Sequence, residues 1–80
     1  PHLTSLNLDD TNMVDESMHH LAELTQLEYL NISSGYVTDT GLVHLEGLTN
    51  LKTLHLVDTF VTDAGVAELQ KALPDCKIEH

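Results

Sequence analysis

Residues 27–48 read LEYLNISSGYVTDTGLVHLEGL, and this stretch carries two hydrophobic periods in succession. In Leu30-Asn31-Ile32 apolar and polar residues alternate, the period of a short strand with one buried face. In Leu42, Leu45 and Leu48 the apolar residues recur every third position, as on one face of a helical turn. Thr38-Asp39 stands between the two. Hydroxyl and carboxylate oxygens there can accept from the free amides that begin a helix, and the aspartate suits the positive helix end.

The same stretch occurs three times. A shift of 24 residues aligns Leu3, Leu27 and Leu51; Leu6, Leu30 and Leu54; and Leu8, Ile32 and Leu56. The alignment continues through Thr11, Gly35 and Thr59; Met13, Val37 and Val61; and Asp15, Asp39 and Asp63. It closes with Ser17, Gly41 and Gly65; Met18, Leu42 and Val66; and Leu21, Leu45 and Leu69. The repeats run over about 3–26, 27–50 and 51–75. The third has one extra residue, so Leu73 takes the place of Leu24 and Leu48 one position late. The first has Val14 where the others have Thr38 and Thr62, leaving only Asp15 to serve as a cap.

One strand and one helical turn cannot enclose their own apolar face. Stacked units bury a continuous leucine column between neighbours. The expected fold is therefore an α/β solenoid in a single domain over residues 1–80, with parallel strands on one side and short helices on the other. Residues 73–80 leave the pattern and set Cys76 and Ile78 where a fourth strand would begin, which reads as a C-terminal cap. No similar segment precedes Leu3, so the first repeat is expected to present an open edge. The chain opens at Pro1 rather than Met, and it reads as a fragment of a longer protein.

These units resemble leucine-rich repeats, close to the cysteine-containing subtype and its bacterial V-T-D-x-G-L relatives. Leu27-x-x-Leu30-x-Ile32 with Val37-Thr38-Asp39-x-Gly41-Leu42 carries the likeness, and Leu51-x-x-Leu54-x-Leu56 with Val61-Thr62-Asp63-x-Gly65-Val66 repeats it. The resemblance covers essentially the whole chain. It implies a curved solenoid with its sheet on the concave side, used mostly for protein recognition. The family usually has Asn or Cys where this chain has Thr11, Gly35 and Thr59. Threonine can still bond the turn backbone, whereas Gly35 cannot, so a looser second turn is expected.

Charge narrows the partner. The 80 residues carry a net charge of −10, and residues 1–51 hold eight acidic residues and no Lys or Arg. Phosphate binding needs clustered cations, so nucleic acid is excluded, and an anionic membrane surface with it. No stretch nears the ~20 apolar residues of a membrane span. A basic protein partner is permitted, although acidity that only keeps the domain soluble explains the same numbers.

A protein or peptide partner is expected on the concave face and its margin. With the leucines inward, the residues between them face solvent in columns: Ser5, Tyr29 and Thr53; Asn7, Asn31 and His55; Asp9, Ser33 and Val57; with Asp10, Ser34 and Asp58 just beyond. A further column is Asn12, Tyr36 and Phe60. The candidate contact residues are Tyr29, Asn31, Tyr36, Thr53, His55, Val57, Asp58 and Phe60. Aromatics are enriched at binding hot spots, but a ring at these positions can equally fold down over the turn and shield the core. A second reading makes the repeats an assembly segment that self-associates through the first strand.

The remaining chemistry is thin, and neither an enzyme nor a cofactor is expected. His20, His44 and Glu68 share a column, but the outer side of a solenoid spreads equivalent residues apart, and metal–nitrogen bonds of about 2.0–2.1 Å demand convergence. The six histidines would add positive charge below about pH 6.5. Asp9 and Asp10 are strand neighbours directed apart, not an acid/base pair. Helix capping accounts for Asp15, Asp39 and Asp63. Cys76 is the single cysteine and sits in an apolar cap position, where an inert thiol is expected.

Overall fold

The computed structural model describes residues 2–80. Four strands of three residues form one parallel sheet: β1 (Ser5–Asn7), β2 (Tyr29–Asn31), β3 (Thr53–His55) and β4 (Lys77–Glu79), in the order β1-β2-β3-β4. The register follows the repeat columns. Leu6 pairs with Leu30, Leu30 with Leu54, and Leu54 with Ile78. The C-terminal cap is thus itself a strand, added in the register of a fourth repeat.

Each crossover between strands is helical. In the first unit it is a 3-10 segment, Asp15–Glu23; in the second it is α1 (Asp39–Leu42) followed by 3-10 residues Val43–Leu45; in the third it is α2 (Asp63–Ala72). A 3-10 turn climbs about 2.0 Å per residue against about 1.5 Å in an α-helix. The units of 24 residues span the outer side with the stretched form, and the third uses its extra residue to wind a full α-helix. Ala64, Ala67, Glu68, Leu69, Gln70, Lys71 and Ala72 are strong helix formers, which favours that choice. Gln70 Nε2 then donates to the carbonyls of Leu73 and Cys76, both at 2.8 Å, and pins the turn at Pro74-Asp75 into β4.

The core is the stack of repeat columns. Leu27, Leu30, Ile32, Val37, Leu45 and Leu48 of the middle repeat are completely buried, because it has a neighbour on each side. In the first repeat Leu6, Leu8, Met13 and Leu24 are only partly covered, and Leu3 is 43% exposed while Leu27 of the same column is 0% exposed. The open edge expected at the first strand is present as an apolar face.

The aspartate column does something other than expected. Asp15 does not cap its own helical segment, whose first turn has no side-chain cap. Its carboxylate reaches the next repeat, where Oδ1 accepts from the Thr38 amide at 2.8 Å and Oδ2 from the Thr38 hydroxyl at 2.5 Å. Asp39 grips Thr62 in the same way. Capping falls to the threonines alone: Thr38 Oγ1 accepts from the Thr40 amide at 3.3 Å and Thr62 Oγ1 from the Gly65 amide at 3.1 Å. A side chain on Gly41 would overlap the Asp15 carboxylate, and one on Gly65 would overlap that of Asp39. Glycine in this column is therefore the space the clamp occupies. Ser17 and Val14 stand at the corresponding places of the first repeat, so its outer edge offers neither the threonine hydroxyl nor the gap. At the other end Asp63 meets His80, with Nε2 to Oδ1 at 2.8 Å.

The turn after β2 is not looser than its neighbours. Asp10, Ser34 and Asp58 hold the same left-handed backbone, with φ of 62°, 61° and 61°. Thr11 and Thr59 donate their hydroxyls to the carbonyls of Leu8 and Leu56 at 2.6 and 2.7 Å, and Gly35 lacks this bond. It compensates by close packing, since a Cβ there would lie 3.1 Å from the Met13 carbonyl oxygen of the first repeat.

Candidate interaction surface

The eight candidate residues divide into two groups. Tyr29, Asn31, Thr53 and His55 lie on the strands and are half-buried. Tyr36, Val57, Asp58 and Phe60 lie on the turn margin beyond the strand ends and are exposed.

The strand group is largely occupied with itself. Tyr29 packs edge-on against His55 with ring centroids 5.5 Å apart. His55 Nδ1 lies 2.8 Å from Glu79 Oε1 of β4. Asn31 Oδ1 accepts from the Ser33 amide at 3.0 Å, and Asn7 does the same for Asp9, so both asparagines close the turn that ends their strand. Ser33, expected to face solvent beside Val57, is buried at 8% exposure and accepts from the Val57 amide at 3.1 Å. Strand alternation stops at Asn31, so the period-two rule does not reach residue 33.

The margin group is open. Tyr36 and Phe60 stack on each other, with ring centroids 6.1 Å apart and planes at 22°. They are 57% and 63% exposed, and Val57 is 44% exposed. The rings do not fold down over the core. Two backbone bonds hold the pair: the Tyr36 amide donates to the Met13 carbonyl at 2.8 Å and the Phe60 amide to the Val37 carbonyl at 2.9 Å. Rigid backbone beneath two exposed rings lowers the entropy lost when they are covered. Tyr29, expected in one patch with them, instead makes its aromatic contact with His55.

Sequence reasoning missed how the charges partition. Lys52 pairs with Glu28, Lys71 with Glu68 and Lys77 with Glu79, at 3.5–3.6 Å. Asp9, Asp10 and Asp58 have no cationic side chain within ion-pair distance among the described residues. The lysines answer glutamates on strands and helix, while the margin keeps its carboxylates. Pairing their columns against the repeat register would have revealed this.

On the outer face His19, His20 and His44 come together, with centroids 3.9 Å apart for His19–His20 and 6.4 Å for His19–His44. Glu68, expected in that column, pairs with Lys71 instead. Among the described residues no three His, Cys, Asp or Glu side chains are arranged to hold a metal ion. A shallow groove of about 410 Å³ between α1 and α2 is lined by Leu42, Val43, Leu69, Glu46 and Glu68. Cys76 is buried, and that burial pushes its thiol pKa up, which keeps it protonated and unreactive. No helix among the described residues is long and apolar enough to cross a membrane.

The sequence pattern described as "Leucine Rich repeat" matches residues 1–22 and 47–69, more than half of the chain. The chain belongs to the leucine-rich repeat family. The matched segments are the first repeat and most of the third, and the parallel sheet with its helical crossovers agrees with the assignment. Leucine-rich repeat domains are generally protein-interaction modules that bind proteins or peptides, and the family is typically non-enzymatic. Among curated proteins the chain has no significant match.

Proposed function

We propose that this leucine-rich repeat domain binds a protein or peptide through the turn margin of its concave side, with Tyr36 and Phe60 as the anchors. The observation that carries the reading is the stacked, backbone-pinned and majority-exposed pair of rings, in a chain with only three aromatic residues. Aromatics dominate binding hot spots because they bury large area with few rotatable bonds. Val57 and Asp58 adjoin the pair, and Thr53, His55, Tyr29 and Asn31 extend the surface along the strands at about 4.8 Å per strand.

The test is selection of binders from a displayed random-peptide library, followed by affinity measurement on a Tyr36→Ala/Phe60→Ala variant. Both positions are exposed, so the variant should keep its fold, checked by circular dichroism. Selected peptides should lose at least tenfold in affinity on the variant, since hot-spot truncations cost about 2 kcal/mol or more. Peptides that bind both forms equally, or a library that yields no binders, would refute the margin as the binding surface.

A further inference from the structure

Resting on that reading, we infer that the partner segment recognised at the margin is basic, and that arginine or lysine side chains meet the Tyr36–Phe60 stack and the unpaired carboxylates of Asp58, Asp10 and Asp9. Three independent features converge. Two exposed ring systems offer the negative face of the aromatic quadrupole to a cation. Carboxylates lie on the same margin: Asp58 is two residues before Phe60, and Asp10 occupies in the first repeat the turn place that Ser34 and Asp58 occupy in the next two. None of the three lysines is available to neutralise them, because each lies beside a glutamate elsewhere.

The backbone adds a further argument. Asp10 and Asp58 sit in the left-handed region, where an L-residue costs about 1 kcal/mol and glycine fits without strain. Neither carboxylate accepts a side-chain or backbone hydrogen bond within the described residues. The fold therefore bears a strained position carrying a charge that does nothing for the fold itself. A binding role for that charge accounts for it. An acidic partner would meet repulsion from the whole first half of the chain, and an uncharged one would leave the three carboxylates facing nothing.

The experiment uses three short peptides in which leucine and glycine alternate with arginine, with serine or with glutamate. Each is titrated into the isotopically labelled chain, and amide shifts are followed. The arginine peptide should move the amides around Tyr36, Asp58 and Phe60 and bind at least tenfold tighter than the serine peptide. Its affinity should fall several-fold between about 0.05 and 0.3 M salt. Asp58→Asn, which keeps a residue tolerant of the left-handed turn, and Phe60→Ala should each weaken it by about three- to tenfold. His44→Ala on the outer face should leave it unchanged. Equal or tighter binding of the serine peptide at the same amides overturns the basic partner while leaving the margin as the interaction surface. Shifts confined to other surfaces, or no shifts at all, overturn the inference. The library selection then decides separately whether the margin binds any peptide.

Discussion

The Asp39 carboxylate holds Thr62 of the following repeat by two bonds, one from its amide to Oδ1 at 2.8 Å and one from its hydroxyl to Oδ2 at 2.6 Å. The Thr62 hydroxyl, and after it the Thr62 amide, holds the carboxyl pKa below its ordinary value of 3.8. A depressed folded pKa means that the unfolded chain takes up the proton first. The contribution is therefore complete above about pH 4 and is lost as pH falls through the lower folded value. Asp39→Asn should lower the melting temperature at neutral pH and flatten the acid limb of a stability–pH curve. Thermal melts between about pH 2 and 7 check this. Parallel acid limbs for the two proteins would show that the carboxylate is not linked to folding.

The glycine column makes a sharper prediction about the same clamp. Gly65→Ala should destabilise by about 1–3 kcal/mol, because the new methyl group overlaps the Asp39 carboxylate. In an Asp39→Ala background the same change should be near neutral or stabilising, since alanine is the better helix former within α2. Denaturant unfolding of the four proteins in the cycle measures the coupling. Equal costs in both backgrounds would mean that the glycine serves some other purpose.

The left-handed turns can be relieved. Ser34→Gly removes a side chain from φ 61° and should raise stability by up to about 1 kcal/mol, offset in part by the greater freedom of glycine in the unfolded chain. A lower midpoint in urea for the variant would contradict that account.

Core and cap are equally testable. Leu54 is fully buried between its neighbours Leu30 and Ile78, so Leu54→Ala should cost about 2–5 kcal/mol, a large share of the stability of so small a domain. Cys76, at the foot of β4, should resist alkylation in the native protein and react only as the cap opens, at a rate that rises with urea. Fast labelling in native buffer would show that the cap frays.

Much of this fold was legible in the sequence because the repeat is arithmetic. A shift of 24 residues places Leu6, Leu30 and Leu54 in one column, and the sheet pairs those residues. What escaped was the purpose of conserved polar columns within the chain. Asp15 and Asp39 look like helix caps because an acid beside a helix start is favourable wherever its side chain points. Only the spacing between stacked repeats reveals that the carboxylate reaches Thr38 or Thr62 next door. Ser33 escaped for a related reason: alternation predicts exposure only while the strand lasts. The aromatic margin was half legible. Position placed Tyr36 and Phe60 outside the core, but whether the rings lay flat over it depended on the stack they form with each other.

The central claim is that this solenoid recognises its partner at the turn margin. The most direct measurement is the amide-shift footprint of a library-selected peptide on the labelled domain. The account predicts a footprint centred on Tyr36, Val57, Asp58 and Phe60, extending toward Thr53 and His55 and absent from the outer face around His19 and His44. A footprint centred on the outer groove between α1 and α2, or on the open edge beside Leu3, would contradict it.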